Sequence, residues 1–277
     1  MRITVIGDLH GTPHNLITIL KEFQYIDAEL NWKEPDLFLV ILGDCCDRGY
    51  NSYDIYRLLM QWQNQAPDVN SELLFIIGNH EVMNIFGYSS YNTIEEYESF
   101  AGESEFRRAF SEGGWVREWV VNQSAVIKLD SFIFGHGDLP SALSNRLCTE
   151  IDARVKSALI SFPAPGSEQF PAPLFSSDES ILWCRQAQYD RVRHYGEALK
   201  NFLLINDAEI YICGHTPSRD GRFKLLYDNR YLCVDTGMVF TSMGLGSVSA
   251  LKIEGPRLTA CYFYDCKFSE TELLTLS

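Results

Sequence analysis

The sequence predicts a layered α/β fold that carries a helical cap. Short β-branched and aromatic runs of roughly four to eight residues recur along the chain and first alternate with helical patterns. Several of these runs end in a polar turn that contains glycine. Two long segments, about 88–122 and 139–205, interrupt the alternation. We therefore interpret residues 1–277 as a single domain with these two segments as cap insertions.

Buried strands are predicted at the short runs that are mainly β-branched or aromatic, because strands covered on both faces have nearly continuous hydrophobic sequences. These runs are 2–7, 37–43, 73–78, 131–135, 209–214 and 231–235. Residues 124–129 can pair with the run that follows them as a hairpin or a bent strand. A further hairpin is expected near the end of the chain, between 247–253 and 258–264.

Helices are predicted between the first strands. Thr12 can cap a helix that has Pro13 at its first position, and apolar residues spaced by three or four follow it. Residues 52–63 repeat this pattern. The 88–122 insertion is helix-prone and aromatic, and we interpret its charge-rich stretch 95–108 as a solvated helix face. The 139–205 insertion combines amphipathic helices with a proline-rich stretch, 163–173, that we interpret as a loop or flap.

The composition narrows the classes of partner. The chain has 23 Lys+Arg and 37 Asp+Glu, a formal net charge of −14. This balance argues against nucleic acid or an anionic membrane as the main partner, yet it is compatible with a small phosphorylated group. No apolar run reaches the roughly 18 residues of a membrane span. No signal peptide is visible, so we expect a cytoplasmic protein, with non-classical export and the oligomeric state left open.

The polar residues cluster directly after the predicted strands. The turns that carry them are 8–11, 44–49, 79–81, 136–138 and 215–216. Ligands bind outside the carboxyl ends of the strands in open α/β sheets, and buried carboxylates and imidazoles need partners. Carboxylate, imidazole and amide groups are ligands for manganese, iron or zinc. Two such ions sharing one carboxylate, about 3.5–4 Å apart, can activate a bridging water toward phosphorus.

Five motifs carry a family resemblance. They are, in order, GDLHG (7–11), GDCCDRG (43–49), GNHE (78–81), HGD (136–138) and GHT (214–216). Together they resemble the phosphoprotein-phosphatase (PPP) branch of the calcineurin-like metallophosphoesterases. That resemblance implies a layered β-sandwich core flanked by helices, with a helical cap. The groups VMN (82–84), ILWCR (181–185) and VDTGM (234–238) are similar to the bacterial Shewanella-like protein phosphatases, whose members have been linked to phosphotyrosine.

The resemblance also implies ligands for two divalent ions, with manganese favoured and iron or zinc as alternatives. Asp8 and His10 would bind the first ion, and Asp44 would bridge both ions. The second ion would be completed by Asn79, His136 and His215.

The remaining roles come from the same resemblance. His80 would be the general acid, held by Asp47, and Arg48 would clamp phosphate oxygens. Arg185 would be a second phosphate arginine, or else form an ion pair with a carboxylate of the cap. Asp235 would lie beside the metal site, or else serve as a turn residue.

One position departs from the family pattern. Asp138 stands where the usual HGG motif has its second glycine. If that position needs a positive φ, aspartate tolerates it less well than glycine. The carboxylate also adds negative charge near the metals. We therefore expect Asp138 to change the geometry of the loop and, with it, the affinity for metal. His136 is still assigned as a ligand.

The resemblance implies a metal-dependent hydrolase of phosphomonoesters on proteins or peptides. A metal-bridging hydroxide would attack phosphorus directly, and phosphotyrosine is favoured over phosphoserine and phosphothreonine. One alternative is a hydrolase of diadenosine tetraphosphate, but those enzymes typically carry GNHD, and Glu81 argues against it. Another is a catalytically dead scaffold that binds partners through the cap. The presence of His80, Asp47 and Arg48 argues against that reading.

Overall fold

The computed structural model describes residues 1–161, 175, 177–188, 194–264 and 267–276. The proline-rich stretch 163–173, interpreted above as a loop or flap, lies outside the described residues. Eleven strands are described: β1 (Arg2–Ile6), β2 (Phe38–Ile41), β3 (Glu72–Phe75), β4 (Val126–Leu129), β5 (Phe132–Gly135), β6 (Ile210–Cys213), β7 (Lys224–Leu226), β8 (Tyr231–Cys233), β9 (Val248–Glu254), β10 (Arg257–Tyr264) and β11 (Lys267–Thr275).

Eight α-helices lie between these strands in the described part of the chain. They are α1 (Pro13–Glu22), α2 (Ser52–Gln65), α3 (Asn79–Ile85), α4 (Ile94–Ser99), α5 (Glu103–Phe110), α6 (Trp115–Val120), α7 (Cys148–Ile160) and α8 (Tyr195–Ile205). The first predicted cap segment thus contains α4, α5 and α6, and the second contains α7 and α8. No described helix combines the length and apolarity that crossing a membrane would need.

The strands form two mixed sheets. The larger sheet has the order β11-β10-β9-β1-β2-β3, in which β1, β2 and β3 run parallel and β9, β10 and β11 form an antiparallel edge. The smaller sheet has the order β4-β5-β6-β8-β7, with β5, β6 and β8 parallel. Parallel strands end at the same edge of a sheet, so the polar turns after β1, β2 and β3 lie side by side.

The side chains of the central strands alternate between two hydrophobic clusters. Val40 of β2 and Ile212 of β6 belong to one cluster that draws on both sheets, which places this cluster between them. Their neighbours Ile41 and Tyr211 belong to the other cluster, together with the apolar faces of the helices. Both faces of these strands are therefore covered, which explains their continuous apolar sequences.

The aromatic residues of α5 and α6 pack into the core. Phe106 and Phe110 contact each other, and the Tyr56 ring of α2 lies edge-on to the rings of Phe110 and Trp115. Ring pairs in this arrangement add to the area that they bury. This cluster joins the first helical segment to the helix that follows β2.

The predicted α/β fold is confirmed, including the alternation of the first strands and helices along the chain and the hairpin of β9 and β10. Strands β7 and β11 were not predicted. β7 has only three residues, and the sequence of β11 is rich in charged and polar residues because this strand lies at the edge of its sheet. Thr12 precedes α1 as predicted, but its hydroxyl donates to the carbonyl of Leu9 instead of capping the helix.

Candidate functional site

The turns after the parallel strands of both sheets bring six buried polar side chains together. The larger sheet contributes four of them and the smaller sheet two. They are Asp8, His10, Asp44, Asn79, His136 and His215. Two groups have ligand atoms that all lie within 4.8 Å of one another: His10, Asp44 and His80 form one, and Asp44, His136 and His215 form the other.

Asp44 is common to both groups. Its Oδ1 lies 3.4 Å from Nε2 of His136, and its Oδ2 lies 3.7 Å from Nε2 of His10. The other two predicted ligands extend the groups on either side. Asp8 Oδ2 lies 3.9 Å from Nε2 of His10, and Asn79 Oδ1 lies 2.8 Å from Nε2 of His136. The geometry therefore gives the predicted bridging carboxylate a central position.

Several residues in the turns that form the site have left-handed backbone conformations, which non-glycine residues seldom adopt. The φ angles are 43°, 51°, 69°, 65° and 67° for His10, Asp44, Asp47, Arg48 and His215. Such conformations cost free energy and concentrate at functional sites, where the surrounding structure enforces them. The tight turns after β1, β2 and β6 therefore bring these side chains close to one another around Asp44.

Backbone carbonyls orient the three predicted histidine ligands. Nδ1 of His10 donates to the carbonyl of Cys46 at 2.9 Å, and Nδ1 of His136 donates to that of Leu42 at 2.6 Å. His215 instead uses Nε2, which lies 3.2 Å from the Trp183 carbonyl. A hydrogen bond at one ring nitrogen fixes the tautomer and leaves the other nitrogen free for a metal ion.

The electrostatics of the cluster fit a divalent cation. Burial and the charge of Asp235 raise the pKa of Asp8, so this carboxylate lacks a positive charge that would compensate for its burial. Burial and the charge of His80 lower the pKa of His10 to about 3, and burial likewise lowers the pKa of His215. Neutral imidazoles beside carboxylates and an amide are the donor set that manganese, iron and zinc accept. The residues present therefore fit a pair of metal ions.

His80 and Asp47 form a close pair beside this cluster. Nδ1 of His80 donates to Oδ2 of Asp47 at 2.5 Å. Burial opposes the charged imidazole, but the charge of Asp44 and the bond to Asp47 together raise the pKa of His80 above its ordinary value. Arg48 Nη2 lies 3.2 Å from His80 Nε2, to which it donates when that nitrogen carries no proton, and the charge of Arg48 opposes the rise in the His80 pKa.

Two asparagines complete the environment of Asp47 and were missed by the sequence reasoning. Asn84 Nδ2 donates to Oδ1 of Asp47 at 3.0 Å, and Asn92 Nδ2 donates to the same oxygen at 2.5 Å. The backbone N–H of Asp47 donates to Oε1 of Glu96 at 2.8 Å. Glu96 is fully buried, so the interpretation of 95–108 as a solvated face is wrong at this residue.

Glu81 is another residue whose role was missed, although its motif was recognised. Its carboxylate accepts the backbone N–H groups of Asp44, Cys45 and Gly78 at 2.8–2.9 Å. The hydroxyl of Tyr56 donates to it as well, at 2.9 Å. Glu81 therefore joins the turns after β2 and β3, and it sets the position of the shared carboxylate. Nothing in the spacing of the motif shows which backbone groups this side chain reaches.

Arg185 and Asp235 both lie at the site. Arg185 donates to the carbonyl of His215 at 3.2 Å and to Oγ1 of Thr216 at 3.3 Å, and no described carboxylate forms an ion pair with it. The predicted alternative for Arg185, an ion pair with a cap carboxylate, is therefore not seen among the described residues. Asp235 accepts the backbone N–H of Gly237 at 2.8 Å, so it both shapes a turn and places charge beside Asp8.

The turn of Asp138 does not need glycine. Its φ is not positive, so aspartate causes no strain there. The side chain is buried and bonds to the hydroxyl of Tyr231 and to the backbone of Ala187, away from the candidate ligand cluster. The expected disturbance of the loop is therefore absent.

Comparisons with known proteins identify the family of this chain. The family model of the calcineurin-like phosphoesterases matches residues 1–219. Shewanella-like protein phosphatase 1 of Plasmodium berghei is 29% identical over 267 residues, which cover 94% of this chain and 73% of that protein.

Solved structures share the fold. A cold-active protein-tyrosine phosphatase of a psychrophilic Shewanella species superposes with a TM-score of 0.79 at 21% identity, covering 97% of this chain and 80% of that one. A serine/threonine phosphatase from Saccharomyces cerevisiae superposes with a TM-score of 0.58 at 16% identity, covering 100% and 81%. The family model extends over most of the sequence and includes all five motifs. The chain therefore belongs to the calcineurin-like phosphoesterase family.

Proposed function

We propose that this phosphoesterase is a metal-dependent protein phosphatase that hydrolyses phosphomonoesters and favours phosphotyrosine over phosphoserine and phosphothreonine. The observation that carries the proposal is the position of Asp44 between two groups of candidate ligands, with the pair of His80 and Asp47 alongside. The similarity to Shewanella-like protein phosphatase 1 supports a phosphorylated protein or peptide as the substrate.

Two divalent ions held by the six candidate ligands would supply the activation of water for in-line attack on phosphorus. The protein side chains supply a proton and bind the phosphoryl group. His80 gives its proton to the leaving oxygen, and Asp44 and Asp47 favour the protonated imidazole because they raise its pKa against the effect of burial. Arg48 binds phosphoryl oxygens from beside His80, and Arg185 binds them from a segment that is hydrogen-bonded to the turn after β6.

Tyr91 supports the preference for phosphotyrosine. Its ring lies 5.1 Å from the ring of His80, and the guanidinium of Arg48 lies 5.2 Å from its centroid. The side chain is 44% exposed. An exposed aromatic face beside the phosphate arginine offers a contact to the phenyl ring of a phosphotyrosine. A phosphoserine has no ring to use it.

The proposal is tested with manganese-loaded protein and three peptides that differ only in phosphotyrosine, phosphoserine or phosphothreonine. We expect phosphate release from all three, with the highest kcat/KM for phosphotyrosine. Absence of turnover with the metals bound would contradict the proposal. So would release of ADP from diadenosine tetraphosphate at a rate far above that of phosphate from the peptides.

A further inference from the structure

Asp138 is a buried carboxylate that the proposed chemistry does not use. It is 1% exposed and directly follows the turn of the candidate ligand His136. Neither of its oxygens is directed at the candidate ligands, since both are occupied by neighbouring donors. A buried carboxylate is costly unless such donors satisfy it, so this one needs an explanation.

Its contacts tie the 136–138 turn to the segment that carries Arg185. Oδ2 of Asp138 accepts the backbone N–H of Ala187 at 2.7 Å, and the backbone N–H of Asp138 donates to the carbonyl of Cys184 at 2.9 Å. These two bonds lie on either side of Arg185 in the sequence. The segment is thus held just before and just after the arginine.

The other oxygen anchors this arrangement to the smaller sheet. The hydroxyl of Tyr231, on β8, donates to Oδ1 of Asp138 at 2.5 Å. Two further tyrosines hold the same two segments: Tyr211 donates to the carbonyl of Gly137 at 2.9 Å, and Tyr227 donates to that of Ala187 at 2.8 Å. The carboxylate therefore connects the Arg185 segment to a rigid part of the fold.

The guanidinium that this segment carries has donors to spare. Arg185 uses Nε and Nη2 for Thr216 and for the carbonyl of His215, and both partners are uncharged. A guanidinium has five N–H donors, so it keeps others for an anion. An arginine binds phosphoryl oxygens well only when its planar group is fixed in orientation.

We infer that Asp138 is a positioning residue for substrate binding: it fixes the segment around Arg185 so that the guanidinium meets the phosphoryl group in one orientation. The inference rests on the proposed function. It also accounts for the departure from HGG, because a glycine has no side chain to accept from Ala187 and Tyr231. The carboxylate then acts through hydrogen bonds and not through its charge on the metals.

The variants are chosen to separate an effect of the Asp138 hydrogen bonds from an effect of its charge on the metals. Asp138→Ala removes both acceptors and leaves the donors of Ala187 and Tyr231 unpaired. Asp138→Asn removes the charge but keeps the shape, since its amide oxygen can accept from Ala187 while its NH₂ donates to the Tyr231 oxygen. Asp138→Gly restores the usual family residue and serves if the alanine variant does not fold. Glu179→Ala is the matched control, because it removes an exposed carboxylate from the neighbouring turn.

The experiment measures kcat, KM and the inhibition constant of inorganic phosphate for manganese-loaded variants, with metal content and melting temperature as controls. For Asp138→Ala we expect KM and the phosphate constant to rise about tenfold, the effect of losing a well-placed charged hydrogen bond, with metal content unchanged. Asp138→Asn should recover most of that loss. On an Arg185→Ala background, Asp138→Ala should add little, because the two residues act together.

Two results would overturn the inference. In the first, Asp138→Asn is as impaired as Asp138→Ala and both lose metal, which would assign the effect to charge. In the second, the effects of Asp138→Ala and Arg185→Ala are additive. Failure of the proposed function is distinguishable, since the parent protein itself would then release no phosphate from any peptide.

Discussion

The histidines at the site divide into two electrostatic types. His10 and His215 have lowered pKa values because burial and neighbouring imidazoles oppose their charge. Burial opposes the charge of His80 and His136 as well, but for His80 the charge of Asp44 and the bond to Asp47 together raise the pKa, and for His136 the charges of Asp44 and Asp8 with the bonds to Asp44 and Leu42 raise it to about 10. A metal ion would displace the proton of His136, whose Nε2 faces Asp44 and Asn79. His80 is instead paired with Asp47, which suits an acid.

The substitution His80→Asn tests this division. We expect kcat to fall by about 10²–10⁴, the usual contribution of a general acid, while the metal content stays the same. Turnover of phosphotyrosine peptide and elemental analysis of the same sample measure both quantities. Because His80 lies close to His10 and Asp44, a loss of metal would identify it as a ligand instead. Near-normal kcat would remove it from the mechanism.

At this scale the sequence revealed the residues that belong to compact motifs and not the residues that support them. His80 and Asp47 stand in recognisable motifs at strand ends. Asn92 and Glu96 reach Asp47 from 45 and 49 residues away, and only the fold creates those contacts. Glu96 follows Thr93 at the spacing of a capping box, so the sequence indicates a role at the start of a helix. It does not indicate that Glu96 also accepts the backbone N–H of Asp47.

Among the elements, helix α4 supports the turn after β2. Thr93, its N-cap residue, donates to the carbonyl of Gly49 at 2.6 Å. Glu96 accepts the backbone N–H of Asp47 at 2.8 Å and the hydroxyl of Ser52, the first residue of α2, at 2.5 Å. This short helix therefore joins the turn of the candidate acid pair to the start of α2. The buried carboxylate of Glu96 makes the main connection between them.

Glu96 should make stability depend on pH. Burial, and then the charge of Asp47, raise its pKa to about 7 from 4.5. The folded state therefore binds more protons than the unfolded state between these values, so its contribution to stability falls as the pH rises through this window. Glu96→Gln removes this dependence. We expect the variant to gain about 3 kcal/mol relative to the parent between pH 4.5 and pH 8.

Urea unfolding of the parent and the Glu96→Gln variant across this pH range measures the difference. Glu95→Gln is the matched control, because it removes an exposed carboxylate from the same turn of α4. A constant free-energy difference between Glu96→Gln and the parent would show that Glu96 does not titrate in this window.

The strands show which elements a sequence reveals. β2 and β6 are covered on both faces, so their unbroken apolar runs identify them. β7 is short, and β11 is an edge strand paired only with β10 among the described strands. Its polar and charged residues fit solvent exposure and mask the strand pattern. Both strands therefore lack the unbroken apolar run that identifies β2 and β6.

In the whole molecule, the candidate site lies across the two sheets. The larger sheet supplies Asp8 and Asp44, and the smaller sheet supplies His136 and His215. Direct bonds cross between them: the backbone N–H of His215 donates to Oδ1 of Asp8 at 2.9 Å, and His136 bonds to the carbonyl of Leu42. The site therefore requires the packed sandwich. The position of the polar turns at the ends of predicted strands indicated this convergence, and the family resemblance implied it as well.

We propose that Asp44 would be shared by two cations bound between these sheets. Elemental analysis after manganese loading and removal of excess metal tests it most directly, on the parent protein and on Asp44→Asn. We predict about two ions per chain in the parent. The Asp44→Asn variant should bind clearly fewer, with a smaller rise in melting temperature on adding manganese. Fewer than one ion per parent chain, or an unchanged content in Asp44→Asn, would contradict the account.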